Sequence, residues 1–293
     1  MRILLIGTVK FSADLLEEIV GMGVDVVGVC TRSKSTFNAD FFDLGKIAVK
    51  YGIPCWYTND INSSTTLEWI KKANPDVILC VGWSQIIGEE LLEIPSYGII
   101  GFHPSELPRN RGRHPITWAL VLGLESTATT FFLMDSGTDT GDLLSQERIV
   151  ISNSDNAQTL YEKVTNSAKA QVKQLLQALE SKSVVAVKQD HSLANVWRRR
   201  NDKDGEIDWR MSALSIHNLI RGLFTPYIGA HFVSDGVKIK VWESEVIKCD
   251  KPNFEPGKVM ERSARGILVK CGHDAILLKR TSPENWQPKE EYL

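Results

Sequence analysis

The chain has 293 residues, of which 43% are hydrophobic and 24% are charged, and its formal net charge at pH 7 is -2. This length predicts one large domain and a smaller one, because single hydrophobic cores rarely grow much beyond it. The near-neutral charge gives no bulk attraction to nucleic acid or to an anionic membrane. No apolar run approaches the roughly 20 residues that a membrane span needs. The apolar segment 1–7 is too short for a signal peptide.

The five cysteines are odd in number and form no Cys-x-x-Cys pair. Cys30 and Cys80 stand inside apolar runs, which is typical of buried thiols. Secreted proteins instead tend to pair their cysteines in disulfides. We therefore expect free thiols and a reducing, cytoplasmic location.

Apolar runs rich in Val, Ile, Leu and Thr alternate with helical patterns through the first half of the chain. The runs predict strands that are buried on both faces, at 2–8, 24–30, 75–81, 98–102 and 127–134. Helical spacing of apolar residues follows a cap at Ser12, recurs at 67–73 and resumes behind Pro115. This alternation predicts an α/β fold with a Rossmann-like, mostly parallel sheet and helices on both faces.

A change of pattern divides the chain. A long helical pattern at 156–180 is followed by a polar stretch that includes Arg198-Arg199-Arg200. The later apolar runs at 230–233, 237–242, 266–269 and 275–278 alternate, which predicts a small antiparallel sheet or barrel. We predict a catalytic domain at 1–187, a linker at 188–204 and a small β domain at 205–293.

Three loops follow predicted strands and carry polar groups, namely 83–85, 103–113 and 135–142. Ligands of open parallel sheets bind outside the carboxyl ends of the strands, so these loops are expected to meet at one cleft. His103 stands where an apolar run ends and a proline-containing loop begins. The third loop supplies carboxylates on a glycine-rich backbone, so the pattern favours a His–Asp site.

Other kinds of chemistry find little support in the sequence. The first strand leads into Gly7-Thr8-Val9, which lacks the glycine spacing of dinucleotide-binding proteins, and no phosphate-binding loop of the Walker type is present. His103, His114, Asp139 and Asp142 show none of the zinc-ligand spacings, so we expect no metal. A turn hydroxyl is the more natural role for Ser105 than a nucleophile.

Arg109, Arg111 and Arg113 precede Pro115, which fits the first turn of a helix. Three guanidinium groups beside unpaired backbone N–H groups would attract an anion, and we predict that these arginines bind the substrate. The alternative is that they pair with carboxylates of the neighbouring loop.

The segment 103–112, His-Pro-Ser-Glu-Leu-Pro-Arg-Asn-Arg-Gly, resembles the His-x-Ser-x-Leu-Pro…Arg-Gly signature of N10-formyltetrahydrofolate-dependent formyltransferases. The segment 137–142 resembles the second motif of that family. Similarity continues through 205–209 and 220–230, where the family has the start of its OB-like C-terminal domain. The resemblance thus covers nearly the whole chain.

The resemblance implies a catalytic role for His103 and Asp139. The imidazole would transfer protons near neutral pH, and the carboxylate would orient it and stabilise its charged form. N10-formyltetrahydrofolate is the implied cosubstrate, with no metal. The implied folate contacts are Gly82, Trp83, Ser84, Gln85, Ile86, Ser105, Ser136, Gly137 and Thr138.

The segment 111–118, Arg-Gly-Arg-His-Pro-Ile-Thr-Trp, is more similar to the sugar N-formyltransferases than to the methionyl-tRNA enzymes. This favours an aminosugar substrate, commonly nucleotide-linked in such relatives, in the synthesis of surface-glycan precursors. A homodimer is common among them, although nothing in the sequence demands one. The alternative is a methionyl-tRNA formyltransferase in which Trp197-Arg198-Arg199-Arg200 and the small domain contact the acceptor stem.

One position departs from the family pattern. The family has a catalytic Asn two residues before the His, and here that residue is Gly101. Losing such a donor to a developing oxyanion costs roughly 2.7–4 kcal/mol of transition-state stabilisation. The candidate replacements are Gln85, Ser105, Asn110 and backbone N–H groups of the loop. A catalytically impaired folate-binding relative, or one that hydrolyses the formyl group, is a further alternative.

Overall fold

A seven-stranded sheet organises the N-terminal part of the chain in a computed structural model, which describes residues 1–35, 39–284 and 286–293. The strands of this part, in chain order, are β1 (Arg2–Ile6), β2 (Asp25–Thr31), β3 (Cys55–Tyr57), β4 (Val77–Cys80), β5 (Ile99–His103), β6 (Arg111–Gly112), β7 (Ser126–Leu133) and β8 (Leu143–Val150). The sheet runs in the order β3-β2-β1-β4-β5-β7-β8. Strand β6 lies outside it and pairs in parallel with β9 (Val196–Trp197).

The pairing is parallel from β3 to β5 and becomes antiparallel between β5 and β7. The predicted Rossmann-like, mostly parallel sheet is therefore confirmed. All five predicted strands are present, because each is a continuous apolar run that is buried on both faces. Strands β3 and β8 were not predicted. Strand β3 has three residues, too few to show a period, and β8 exposes most of its central residues to solvent.

Helices connect the strands of this sheet and continue into the rest of the chain. They are α1 (Lys10–Gly21), α2 (Gly45–Tyr51), α3 (Ser64–Ala73), α4 (Glu89–Leu92), α5 (Pro115–Val121), α6 (Ala157–Glu180) and α7 (Ala213–Gly222). Helix α5 begins at Pro115 as predicted, since the fixed φ of proline suits the first helical position.

The predicted cap at Ser12 is wrong, because α1 begins at Lys10 and Ser12 lies inside its first turn. The Ser12 hydroxyl donates a hydrogen bond of 2.6 Å to the carbonyl of Val81. Apolar residues spaced three and four apart, Leu15, Leu16 and Ile19, are fully buried. The hydroxyl thus anchors α1 to the end of β4, and it also accepts a hydrogen bond of 3.4 Å from the backbone N–H of Val9, the residue that precedes the helix.

A second, antiparallel sheet fills the C-terminal part of the chain, as predicted. Its strands are β10 (Ala230–Ser234), β11 (Val237–Ile247), β12 (Val259–Ser263), β13 (Gly266–Lys270) and β14 (Ala275–Ser282), in the order β10-β11-β14-β13-β12. Ile216, Leu219 and Ile220 of α7 share one buried core with residues of these strands, such as Phe232. Two short 3-10 helices precede this sheet in the chain, at His191–Leu193 and Asp202–Gly205.

The chain divides into two units, and both are discontinuous in sequence. The first comprises Met1–Pro115, Thr127–Ile149 and Glu162–Trp197, and the second comprises Ile116–Ser126, Val150–Tyr161 and Arg198–Leu293. Two internal segments thus group with the C-terminal sheet, whereas the sequence predicts continuous domains. The limits 1–187, 188–204 and 205–293 stay a prediction.

The cysteines are free thiols, and most are buried. Burial raises the pKa of Cys80 to about 12 and that of Cys55 to about 11, so both are protonated at neutral pH. In the described part of the chain, none of the helices combines the length and the apolar character that crossing a membrane requires.

We predict that Gly82→Ala destabilises the protein by roughly 1–3 kcal/mol, the usual cost of overpacking. Gly82 has a φ of 70°, and a Cβ atom there would overlap Val9 Cγ2 and lie 2.6 Å from Ser12 Oγ. Urea unfolding measures the change. The matched control is Gly21→Ala, where nothing lies within 4 Å of the new methyl group. Equal stabilities of the two variants would contradict the prediction.

Candidate active site

His103 is the last residue of β5, and only 5% of its surface is exposed. Its Nε2 lies 2.8 Å from the backbone carbonyl oxygen of Asn110. Because a carbonyl oxygen can only accept, we assign the ring hydrogen to Nε2. The other nitrogen, Nδ1, faces the carboxylate of Asp139, with 3.7 Å between Nδ1 and Oδ2. This is an ion-pair distance rather than a hydrogen bond.

The Asp139 carboxylate is fixed by its own loop and by β6. Its Oδ2 accepts a hydrogen bond of 2.9 Å from the backbone N–H of Gly112. Asp139 itself has a φ of 54°, in the left-handed region that Asp tolerates better than most residues. Asp135 shapes the turn by accepting from the Gly137 N–H at 3.0 Å and from the Thr140 hydroxyl at 2.5 Å. The carboxylate therefore has one supported position beside the imidazole.

The structure brings His103 and Asp139 together, but by a different route from the one the topology rule suggests. Strand β7 runs antiparallel to β5, so Leu133 near its carboxyl end pairs with Ile100 near the amino end of β5. The loop after β7 therefore starts near the amino end of β5, whereas the loop after β5 starts at its carboxyl end. Residues 134–139 lead back to His103, so the two loops meet although β5 and β7 run in opposite directions.

Arg111, predicted to bind substrate, is hydrogen-bonded to side chains of the predicted linker. Its side chain is buried, and one guanidinium nitrogen donates to Gln189 Oε1 at 2.6 Å and lies 3.0 Å from His191 Nδ1. Gln189 in turn donates from Nε2 to the carbonyls of Gly141 at 2.7 Å and Asp139 at 3.0 Å. Arg111 thus supports the loop that carries the carboxylate, while its buried Nε has no hydrogen-bond partner among the described residues. Its contact with substrate stays a prediction.

Arg109 and Arg113 are both exposed. Arg113 donates from its guanidinium group to the carbonyl of Ser84 at 3.0 Å, which links the loop after β5 to the loop after β4. Of the three predicted anion-binding arginines, these two present their side chains at the surface.

The predicted folate stretch after β4 is anchored at several points. The Arg32 guanidinium lies over the Trp83 ring at 4.8 Å from the centroid, and Trp83 Nε1 is buried without a hydrogen-bond partner among the described residues. Gln85 Oε1 accepts from the backbone N–H of Ile61 at 3.2 Å. Ile86 is 69% exposed, so it offers an apolar surface to a ligand.

Ser105, also predicted to contact folate, is fully buried, and its hydroxyl donates to the carbonyl of Arg109 at 3.0 Å. This hydrogen bond holds the loop after β5, and the folate contact of Ser105 stays a prediction. Ser136, Gly137 and Thr138 of the third loop are exposed.

Gly101 has no room for a side chain. A Cβ atom at this position would lie 2.7 Å from Phe132 Cζ and 2.9 Å from Met134 Cγ. The volume into which the family's Asn would project is therefore occupied by these two residues of β7 and the loop that follows it. An oxyanion donor in this chain has to come from another position.

Sequence reasoning missed Gln189 and Asn195, which both lie in the predicted linker. Asn195 Oδ1 accepts from the backbone N–H of Asn110 at 2.8 Å. A polar segment without periodicity gives no signal for such contacts, since they depend on where the chain returns in space. Among the described residues, no group of three His, Cys, Asp or Glu side chains could hold a metal ion.

Comparisons with known proteins agree with this architecture. Residues 1–179 match the model of the formyl transferase family, and residues 200–290 match the model of its C-terminal domain. A methionyl-tRNA formyltransferase of Caldanaerobacter subterraneus subsp. tengcongensis is 34% identical over 97% of this chain and 93% of its own length. A second, from Geobacter metallireducens, is 33% identical over 97% and 91%.

Among solved structures, an N-formyltransferase of Helicobacter canadensis in complex with folinic acid and dTDP-3-aminofucose has a TM-score of 0.71 at 16% identity, over 95% of this chain and 99% of its own. The sugar 3N-formyl transferase WlaRD, crystallised with dTDP and 5-N-formyl-THF, has the same TM-score at 17% identity over 95% and 97%. At this identity the likeness shows the fold.

The two-domain α/β architecture and the family models define the class as a group-transferring enzyme. The chain belongs to the formyl transferase family, as its motifs indicate, and it is an N-formyltransferase.

We predict that Gly101→Asn, which restores the family residue, lowers the stability of this protein by roughly 1–3 kcal/mol, because the new side chain overlaps Phe132 and Met134. The double variant Gly101→Asn/Phe132→Ala is expected to lose less stability than the sum of its two single variants, since the smaller residue makes room. Urea unfolding of all three decides; strictly additive losses would show that Phe132 does not restrict the site.

Proposed function

We propose that this enzyme transfers the formyl group of N10-formyltetrahydrofolate to the primary amine of an aminosugar carried on a nucleotide, in the synthesis of a surface-glycan precursor in the cytoplasm. The site that would perform this reaction is the His103–Asp139 pair, with its 3.7 Å separation. The folate cosubstrate is supported by related folds whose structures contain folates, as in WlaRD and in HypX from Aquifex aeolicus with tetrahydrofolic acid.

The reaction needs a nucleophile and one net proton transfer. The lone pair of the neutral amine attacks the formyl carbon and forms the new C–N bond, and the carbonyl oxygen takes up negative charge. The amine nitrogen then loses a proton, and the bond from the formyl carbon to N10 breaks. The departing N10 keeps the electron pair of that bond and gains a proton, which gives tetrahydrofolate.

His103 is suited to carry that proton through Nδ1. Its Nε2 is committed to the Asn110 carbonyl, so Nδ1 holds the lone pair that accepts a proton from the amine. The nearby Asp139 carboxylate then stabilises the imidazolium ion, since both side chains are largely buried. The same Nδ1–H can return the proton to N10.

The missing oxyanion donor is supplied, in this proposal, by groups of the surrounding loops. Among the candidates from the sequence, Ser105 is committed to its own loop, whereas the Asn110 side chain is partly exposed and belongs to the residue that holds the imidazole. Trp83 Nε1 is a further buried donor, on the loop after β4.

The contacts made by the arginines at 198–200 favour an aminosugar substrate over tRNA. Arg198 forms a bidentate ion pair with Asp204, in which Nη1 donates to Oδ2 at 2.8 Å. This interaction holds the pKa of the Asp204 carboxyl well below its usual value. Arg200 is buried and lies over the Trp118 ring at 4.5 Å. Two of the three arginines are thus used within the protein.

Charge counts agree with this view. Residues 205–293 contain 13 Lys and Arg against 12 Asp and Glu, a net charge of +1. Proteins that bind a nucleic-acid backbone usually have a strongly basic surface, and a net charge of +1 is not strongly basic.

Methionyl-tRNA formylation is the second candidate, because the relatives at 30–34% identity carry that name. A gel shift with initiator tRNA separates the two functions. The proposal expects no shift at physiological salt, and no effect of Arg198→Ala/Arg199→Ala on formylation of an aminosugar. A tight, salt-sensitive complex together with formylation of methionyl-tRNA would replace the proposal.

We predict that an aminosugar panel incubated with N10-formyltetrahydrofolate yields a product whose mass has increased by one formyl group. The panel includes dTDP-3-aminofucose, the sugar bound in the Helicobacter canadensis structure. Formate release that needs no amine would instead identify a formyl hydrolase, and folate binding without turnover would identify an impaired relative.

We predict that His103→Ala and Asp139→Asn each lower kcat by about 10²–10⁴-fold, the usual contribution of acid–base catalysis, with little change in folate binding. Asp139→Asn keeps an oxygen that accepts from the Gly112 N–H, so it removes the charge and preserves the loop. The matched control is Val49→Thr, at a residue of α2 that is 83% exposed. Activity within about threefold of wild type in both variants would exclude the proposed pair.

A further inference from the structure

The segment 189–197, here called the strap, runs along the loop that follows β5. Its strand β9 pairs in parallel with β6. The backbone N–H of Arg111 donates to the carbonyl of Asn195 at 3.1 Å, and that of Arg113 donates to the carbonyl of Trp197 at 3.0 Å. The strap is therefore bonded in register to the loop that carries the Arg-Gly motif.

Gln189 is the first residue of the strap and connects it to the loop that carries Asp139. The side chain is 6% exposed and makes three hydrogen bonds, two as a donor to the carbonyls of Asp139 and Gly141 and one as an acceptor from Arg111. A neutral amide is suited to this position, because its NH₂ group donates to two carbonyls while its oxygen accepts from a guanidinium group. The backbone of the catalytic carboxylate is thus fixed by one side chain of the strap.

Asn195 makes the corresponding connection to the imidazole. Its Oδ1 accepts from the N–H of Asn110, and the carbonyl of that same Asn110 accepts from His103 Nε2. Asn110 has a φ of 64°, so its backbone orientation needs support from its surroundings. Here only an acceptor is required, in contrast to Gln189.

We propose that the strap is a positioning device for the catalytic pair, in which Gln189 sets the place of Asp139 and Asn195 sets the tautomer and direction of His103. This inference rests on the proposed roles of His103 and Asp139. Gln189 bonds to the backbone of Asp139 and Asn195 to the backbone of Asn110, so neither amide touches the reacting side-chain atoms. Both are positioning residues rather than catalytic ones.

The different hydrogen-bond requirements give a paired test. Gln189→Leu and Gln189→Glu are both expected to lower kcat by about 10- to 100-fold, because displacing a reacting group by about 1 Å costs on that order. Glu would set carboxylate oxygens against two carbonyls. Asn195→Leu is expected to lower kcat by about 10-fold, since its more exposed hydrogen bond is partly replaced by water. Asn195→Asp keeps the acceptor, and it is expected to retain wild-type kcat.

Kinetics are measured with dTDP-3-aminofucose and N10-formyltetrahydrofolate, and the KM for folate is expected to stay within about twofold of wild type. The control is Val196→Thr, a 70% exposed position of the strap with its side chain at the surface. Thermal unfolding of each variant checks that the fold is retained. Equal loss of kcat in Asn195→Asp and Asn195→Leu would overturn the assignment for Asn195.

A readout that needs no substrate completes the experiment. The imidazole ¹⁵N signals of His103, assigned by their absence in His103→Gln, are expected to show hydrogen on Nε2 in wild type and in Asn195→Asp, and a mixture of tautomers in Asn195→Leu. Gln189→Leu is expected to move the Nδ1 signal, because the carboxylate shifts. Unchanged signals in both Leu variants would overturn the inference. Normal turnover in His103→Ala and Asp139→Asn would instead refute the proposed function.

Discussion

The structure of the site depends on one imidazole held between two oxygen atoms. The Asn110 carbonyl fixes His103 Nε2, which leaves Nδ1 to face the Asp139 carboxylate at 3.7 Å. Each oxygen belongs to a loop that is held by its own hydrogen bonds and by bonds to residues 189 and 195 of the later chain. Much of the surrounding hydrogen bonding holds these two loops in a fixed relation to the end of β5.

Two residues with left-handed backbone conformations show where the placement of these loops imposes strain. Asn110 and Asp139 have positive φ angles of 64° and 54°. Such conformations cost free energy for residues other than glycine and persist where the surroundings impose them. Here Asp139 accepts hydrogen bonds from Gly112 and Gln189, and the backbone N–H of Asn110 donates to the Asn195 side chain.

Charged groups in this chain illustrate why a residue type does not by itself give a role. Arg111 and Arg200 stand in motifs that suggest a phosphate or an RNA partner, yet both are buried against groups of the protein. Arg113 and Arg109 carry the same charge at the surface. A guanidinium group has five donors, so nearby carbonyls and amides can engage part of it without a ligand. The Nε atoms of Arg111 and Arg200 are buried without a partner among the described residues.

The sequence by itself determined five of the seven strands of the first sheet, the helix that begins at Pro115, the antiparallel C-terminal sheet and the residues of the His–Asp pair. These follow from local patterns: continuous apolar runs, helical spacing, and short motifs whose residues are close together in the sequence. Tertiary structure alone decided the reversal of β7, the use of Arg111, the filled space at Gly101 and the return of the strap to the site. Each of these depends on which distant segments become neighbours, and a periodic pattern carries no information about that.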